Sequence, residues 1–92
     1  MNKVIWKYEL ETEGLLKVEM PIGAEILALQ TQNEKPCLWV LVDLDVNKTT
    51  RHFEIYGTGQ PIWYDPTTDK KYIGTYQLQG GLFVGHLFEY KV

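Results

Sequence analysis

The stretch Phe53-Glu54-Ile55-Tyr56-Gly57-Thr58-Gly59-Gln60-Pro61-Ile62 decides how the rest of the chain is read. It opens with a period of two. Phe53 and Ile55 fall on one side, and His52, Glu54 and Tyr56 on the other, the pattern of a strand with two unlike faces. Gly57-Thr58-Gly59 then permits backbone angles that other residues resist, and Pro61 cannot donate to a ladder. The strand thus delivers an aromatic ring, a hydroxyl and an amide (Tyr56, Thr58 and Gln60) onto one loop. That set suits binding better than catalysis.

Upstream, Asp43 to Thr50 reads as a polar connection. Its Asp43, Asp45 and Asn47 lack the central Gly and closing Glu of a calcium loop, so a solvated turn is expected. Cys37 to Val42 is apolar on both faces, which predicts a central strand whose second face could be packed by a partner subunit. Asn33 to Pro36 is a turn. In Ala24 to Gln32, Leu27, Leu29 and Thr31 alternate with Ala28, Gln30 and Gln32. Pro21-Ile22-Gly23 separates this strand from one carrying Leu16, Val18 and Met20. Val4, Trp6, Tyr8 and Leu10 mark the first strand, and the short turn Glu11 to Gly14 predicts a hairpin between these two.

Downstream, residues Trp63 to Asp69 form a turn-rich excursion. Lys71 to Leu78 is a strand with Tyr72, Gly74, Tyr76 and Leu78 opposed to Ile73, Thr75 and Gln77. Gly80-Gly81 signals a hairpin into Leu82 to Tyr90. Gly74 and Gly85 inside strands point to bulges, bends or close backbone approach. The expectation is an all-β fold, a small antiparallel sandwich or partly open barrel of about seven short strands, in a single β domain over residues 1–92.

Composition narrows the function. The net charge is −3 and Lys70-Lys71 is the sole adjacent basic pair, so duplex nucleic acid is disfavoured. No apolar run is long enough to span a bilayer and no secretory leader opens the chain, so no membrane association and a cytoplasmic setting are expected. The chain has no serine and one cysteine, Cys37, set in a strand as a small buried residue. His52 and His86 carry no metal-ligand spacing. The Gly57-Thr58-Gly59 run lacks the third glycine and the helix of a dinucleotide fingerprint. No catalytic residue, metal or cofactor is therefore assigned, and the reading is of a non-enzyme.

Three Trp and six Tyr in 92 residues exceed what one core needs, so some are expected at an interface or on a planar ligand. Trp63 and Tyr64, on a loop, are the recognition candidates, while Trp6 and Trp39 fill the core. His86 is either a core or rim histidine or a ligand donor beside Gln77 or Glu89. Gln30, Gln32 and Asn33 cluster at a strand end as amides for recognition or as a solvated face.

The segments Ile26 to Asn33, Cys37-Leu38-Trp39, Ile55 to Ile62, Tyr72-Ile73-Gly74-Thr75, Gly80-Gly81 and His86-Leu87-Phe88-Glu89 carry a resemblance. Together they resemble a widespread family of small bacteriophage and prophage proteins that bears the label of a domain of unknown function. The family pattern has His where Gln60 stands. The resemblance implies a phage source and, by analogy with other compact phage β proteins, a counter-defence factor. On that reading the protein is a homo-oligomer in the infected host's cytoplasm that sequesters a small nucleotide signal. Tyr56, Thr58 and Gln60 would contact the ligand, with the backbone amides of Gly57 and Gly59 near a phosphate. Trp63 or Tyr64 would stack on a base, and His86 or Arg51 would assist. The alternative is a protein-interaction module that blocks a host factor or serves as a virion or replication accessory.

Overall fold

The computed structural model describes residues 2–12, 14–62 and 69–91. Among them are seven strands: β1 (Lys3–Glu9), β2 (Gly14–Pro21), β3 (Glu25–Gln32), β4 (Lys35–Asp43), β5 (Lys48–Gly57), β6 (Lys70–Leu78) and β7 (Phe83–Tyr90). They form two antiparallel sheets, β1-β4-β3 and β2-β5-β7-β6. The sheets face each other as a sandwich and do not close into a barrel. No helix among the described residues is long and apolar enough to cross a membrane.

The apolar run in β4 makes it the central strand of the three-stranded sheet, as its two apolar faces require. Leu38, Val40 and Val42 point inward and are fully buried, and so is Cys37 on the other face. Phe53 and Leu87 are their fully buried counterparts on the four-stranded sheet. Burying each such side chain contributes roughly 1.5–3 kcal/mol against leaving it in water.

The predicted hairpin of the first two strands does not form. β1 pairs with β4 (Trp6 opposite Val40), while β2 pairs with β5 (Leu16 opposite Phe53). The Glu11 to Gly14 link instead carries the chain from one sheet to the other. β1 therefore needs a partner rich in apolar residues from later in the chain. The two real hairpins are β3–β4 and β6–β7. The first turns on Asn33 and Glu34, both at positive φ (53° and 61°), the geometry that fits the twist of flanking strands. The second turns through Gln79–Gly81, with Gly80 and Gly81 at φ of 65° and 98°.

Two bulges shift the predicted alternation. The register of β3 slips between Ile26 and Ala28, and that of β6 between Tyr72 and Gly74. An extra residue inverts the face of everything beyond it. Leu27 is consequently exposed rather than grouped with Leu29. Tyr72 joins Thr75 and Gln77 on the outer face, leaving Gly74, Tyr76 and Leu78 inside. The polar connection before β5 is also shorter than expected, because Lys48 to Thr50 already pair with β2. Its Asp43 carboxylate accepts a hydrogen bond from the Asp45 amide at 2.9 Å, a turn brace.

Both in-strand glycines permit close packing. A Cβ at Gly74 would lie 3.3 Å from Leu29, where β6 passes β3. One at Gly85 would lie 2.5 Å from the Tyr76 ring, which lies across that glycine. The β3 and β6 margins are joined further by Thr31 Oγ1 donating to Gln77 O at 3.1 Å and the Gln79 amide donating to Glu34 Oε1 at 2.9 Å. At the opposite margin β2 packs over β4. β1 projects past it, so Trp6 remains 37% exposed although it shares a row with buried Val40.

Candidate functional site

The alternation of β5 and β7 builds the outer face of the four-stranded sheet. His52 sits opposite Tyr90, Glu54 opposite Phe88, and Tyr56 opposite His86. β6 adds Tyr72 beside Phe88 and Thr75 beside His86. The Phe88 ring is 5.8 Å from Tyr56 and 5.5 Å from Tyr72, centre to centre. A polar chain runs beside these rings. Thr58 Oγ1 lies 2.7 Å from His86 Nε2, and Thr75 Oγ1 lies 2.9 Å from His86 Nδ1. Thr75 in turn meets the Tyr72 hydroxyl. Both imidazole nitrogens are thus engaged by hydroxyls, which orients the ring and lets it pass a polar contact from one edge of the sheet to the loop.

Tyr56, Glu54 and Lys70 form a second polar group. The Tyr56 hydroxyl donates to Glu54. Lys70 Nζ reaches Glu54 at 3.3 Å and the Tyr56 oxygen at 3.1 Å. Burial first, and then the Glu54 carboxylate, raise the Tyr56 pKa. The hydrogen bond to Tyr56, followed by that to Glu54, raises the Lys70 pKa against desolvation.

The loop after β5 closes on itself. The Gly57 amide donates to Gln60 Oε1 at 2.9 Å, and the Gln60 amide donates to Gly57 O at 3.0 Å. Thr58 N–H bonds to Val84 O at 3.3 Å. A phosphate at Gly57 would have to displace the Gln60 side chain. Gly59, at φ of 86°, supplies the turn.

Of the residues singled out in the sequence, Tyr56, Thr58 and His86 come together, with Gly57, Gly59 and Gln60 in the adjoining loop. Trp63 and Tyr64 lie outside the described residues. Arg51 does not join the group. It is five residues before Tyr56 and on the inward face, because side chains alternate along β5. Of the two neighbours expected for His86, Gln77 shares its face one row along and Glu89 does not. Thr75 sits directly opposite His86, and Glu89 points to the other face of the sheet.

Arg51 belongs to a cleft at the far end of the same sheet. Its Nε and Nη2 donate to Glu89 at 2.6 and 2.7 Å, and its Nη1 donates to Ala24 O at 2.6 Å. This fork–fork pair fixes the guanidinium. Around it opens a cavity of about 830 Å³ lined by Thr49, Thr50, His52, Tyr90 and the cations Lys71 and Lys91. Asp69 and Glu89 are its acidic members. The His52 and Tyr90 rings meet at 5.6 Å on its outer rim. A smaller cavity of about 360 Å³ continues from Arg51 and Lys71 between the two bulged strands, past Leu27 and Ile73.

Lys71, Lys91 and His52 are not assigned to a site from the sequence, because the β5–β7–β6 register is what brings these strand ends together. The cleft offers cations, hydroxyls and two rings, the groups that hold an anion bearing a planar substituent. Among the described residues no group of three or more His, Cys, Asp or Glu is placed to hold a metal ion.

Comparison with curated proteins and with solved structures finds no match. The family model of the domain of unknown function DUF7352 matches over residues 1–92. The chain belongs to that family.

Proposed function

We propose that this protein is a non-enzymatic binding protein that captures a small nucleotide in the cleft between Arg51 and Lys91. The observation that carries the reading is the charge of that cleft. It gathers Arg51, Lys71 and Lys91 against Asp69 and Glu89, on a chain whose formal net charge is −3. Its volume of about 830 Å³ falls within the range of small-ligand sites. Lys71 and Lys91 meet phosphate, the Thr49 and Thr50 hydroxyls meet sugar or phosphate oxygens, and the Tyr90 and His52 rings flank a base. Arg51, held by Glu89, is a fixed donor at the floor. The resemblance to small phage proteins supports a counter-defence role, with the ligand an immune signal withheld in the cytoplasm of an infected bacterium.

The test is isothermal titration of the full chain with a panel of cyclic and linear nucleotides, joined to native mass spectrometry. The expected result is a stoichiometric adduct whose ligand leaves unchanged on denaturation. Lys71→Glu with Lys91→Glu weakens it by at least about tenfold. Absence of heat and of any adduct at micromolar nucleotide overturns the reading. A ligand released with altered mass replaces it with an enzyme, and a host protein retained in its stead replaces it with an interaction module.

A further inference from the structure

Four strands end the two sheets: β1 and β3 on one, β2 and β6 on the other. A sheet edge carries unpaired N–H and C=O groups and templates another strand unless something blunts it. Three of these edges are blunted. β3 and β6 carry bulges and lie against each other. β2 opens on a glycine at φ of 91° and closes on Pro21. β1 has neither bulge nor covering strand, and its charged residues Lys3, Lys7 and Glu9 are of both signs, so they repel a partner strand in some registers and attract it in others. Its sequence Lys3-Val4-Ile5-Trp6-Lys7-Tyr8-Glu9 contains neither glycine nor proline, and its register with β4 runs unbroken from Lys3 to Glu9. Ile5 is 59% and Trp6 37% exposed, and the strand projects beyond the sheet that would otherwise cover it.

We infer that the free edge of β1 pairs with the same edge of a second copy, antiparallel about Trp6. Two three-stranded sheets then become one continuous six-stranded sheet.

Symmetry and charge select the register. Two identical antiparallel strands are related by a two-fold axis perpendicular to the sheet, which keeps each side chain on its own face. The axis must therefore pass a residue rather than fall between two. Centring on Ile5 sets Lys3 against Lys7, and centring on Lys7 sets that lysine against itself. Centring on Trp6 sets Lys3 against Glu9, Val4 against Tyr8 and Trp6 against Trp6. Opposite charges across a strand pair stabilise it and like charges oppose it; centring on Tyr8 also sets Lys7 against Glu9 but pairs three residues of the strand, whereas centring on Trp6 opposes unlike charges and pairs all seven. The pairing also covers Trp6 of each copy, which is exposed while Val4 and Tyr8 in the same row pack against the core. The occupant is a second copy of this chain because the charge pattern of β1 is its own antiparallel complement.

The inference is independent of any ligand in the Arg51 cleft. Sedimentation of the unmodified chain at rising concentration is expected to show a monomer–dimer equilibrium. Lys3→Glu sets two like-charged pairs across the interface and weakens the dimer roughly two- to thirtyfold. Adding Glu9→Lys restores it. On a Cys37→Ala background, Trp6→Cys is expected to form a disulfide-linked dimer on mild oxidation. Ile5→Cys is not, because its Cα atoms fall beyond the roughly 7 Å a disulfide spans. A chain that stays monomeric at all concentrations, a dimer indifferent to the charge swap, or equal cross-linking at positions 5 and 6 overturns the inference.

Discussion

Gly85→Ala is expected to be among the most damaging single-methyl additions in this protein. The new Cβ would lie 2.5 Å from Tyr76 Cζ, 2.6 Å from its oxygen and 2.7 Å from Cε1. The ring has nowhere to go. Tyr76 is 3% exposed and packs 6.1 Å from the Phe83 ring. Overpacking of this kind costs about 1–3 kcal/mol, and alanine's advantage over glycine in a strand offsets only about half a kcal/mol of it. A net loss of about 2 kcal/mol lowers the urea midpoint by roughly 1–2 M for a chain of this size. The control is Tyr76→Leu, which removes the three clashing atoms and keeps an apolar side chain. On that background Gly85→Ala should cost close to nothing, giving a coupling of about 2 kcal/mol in the double-mutant cycle. Gly74→Ala is the milder comparison. Its Cβ is tight only against Leu29 Cδ2 at 3.3 Å, with Leu29 Cβ at an ordinary 3.6 Å, and it should cost under about 1 kcal/mol. Equal cost of Gly85→Ala on both backgrounds would refute the packing argument.

Two further outcomes follow from polar groups. Arg51→Ala strips the cation from Glu89, whose side chain is 18% exposed, and a donor from Ala24 O; a loss of about 2 kcal/mol is expected in urea melts. Lys7→Ala, which breaks the exposed 3.7 Å pair with Glu9, should cost under about 0.5 kcal/mol, and the reverse ranking would contradict the geometry. Burial pushes the Tyr76 phenol up from 10.0 to about 12, so between those values the native state keeps a proton that the unfolded chain releases. Stability from this group is intact below pH 10 and falls by roughly 1.4 kcal/mol per pH unit as pH climbs toward about 12. Tyr76→Phe should flatten that alkaline slope in thermal melts, and an unchanged slope would count against burial of the hydroxyl.

The strand faces were legible wherever alternation ran unbroken. Phe53 and Ile55 against His52, Glu54 and Tyr56 could be read directly, as could the doubly apolar β4 and the glycines at positions 74 and 85. Illegible were features that depend on long-range pairing. Nothing between Leu10 and Leu16 distinguishes a hairpin from a crossing between sheets. The choice rests on Trp6 and Leu16 finding Val40 and Phe53 far along the chain. The bulges at Leu27 and Ile73 look like ordinary strand positions, and each inverted a predicted face. The same limit applied to the site. Tyr56 and Thr58 are close in sequence, and His86 meets them across one strand pair. The Arg51 cleft draws on β5, β6, β7 and the residues flanking β6 and β7, and its cations are spread over forty positions from Arg51 to Lys91.

The crossing between sheets also bears on how the chain reaches this structure. β1 and β2 leave synthesis before their partners β4 and β5, which lie beyond Pro21. The first twenty residues therefore remain without native neighbours until later chain is available. The two local hairpins, β3–β4 and β6–β7, close on short turns and can form within microseconds. β1 and β2 must then dock onto opposite sheets by long loop closures, which sets a slow, late transition state. Substitutions at Asn33 or Gly80, and those in β1 whose docking limits the rate, should therefore all act on the folding rate. During that delay the apolar β1 segment is the part of the nascent chain most in need of protection from aggregation.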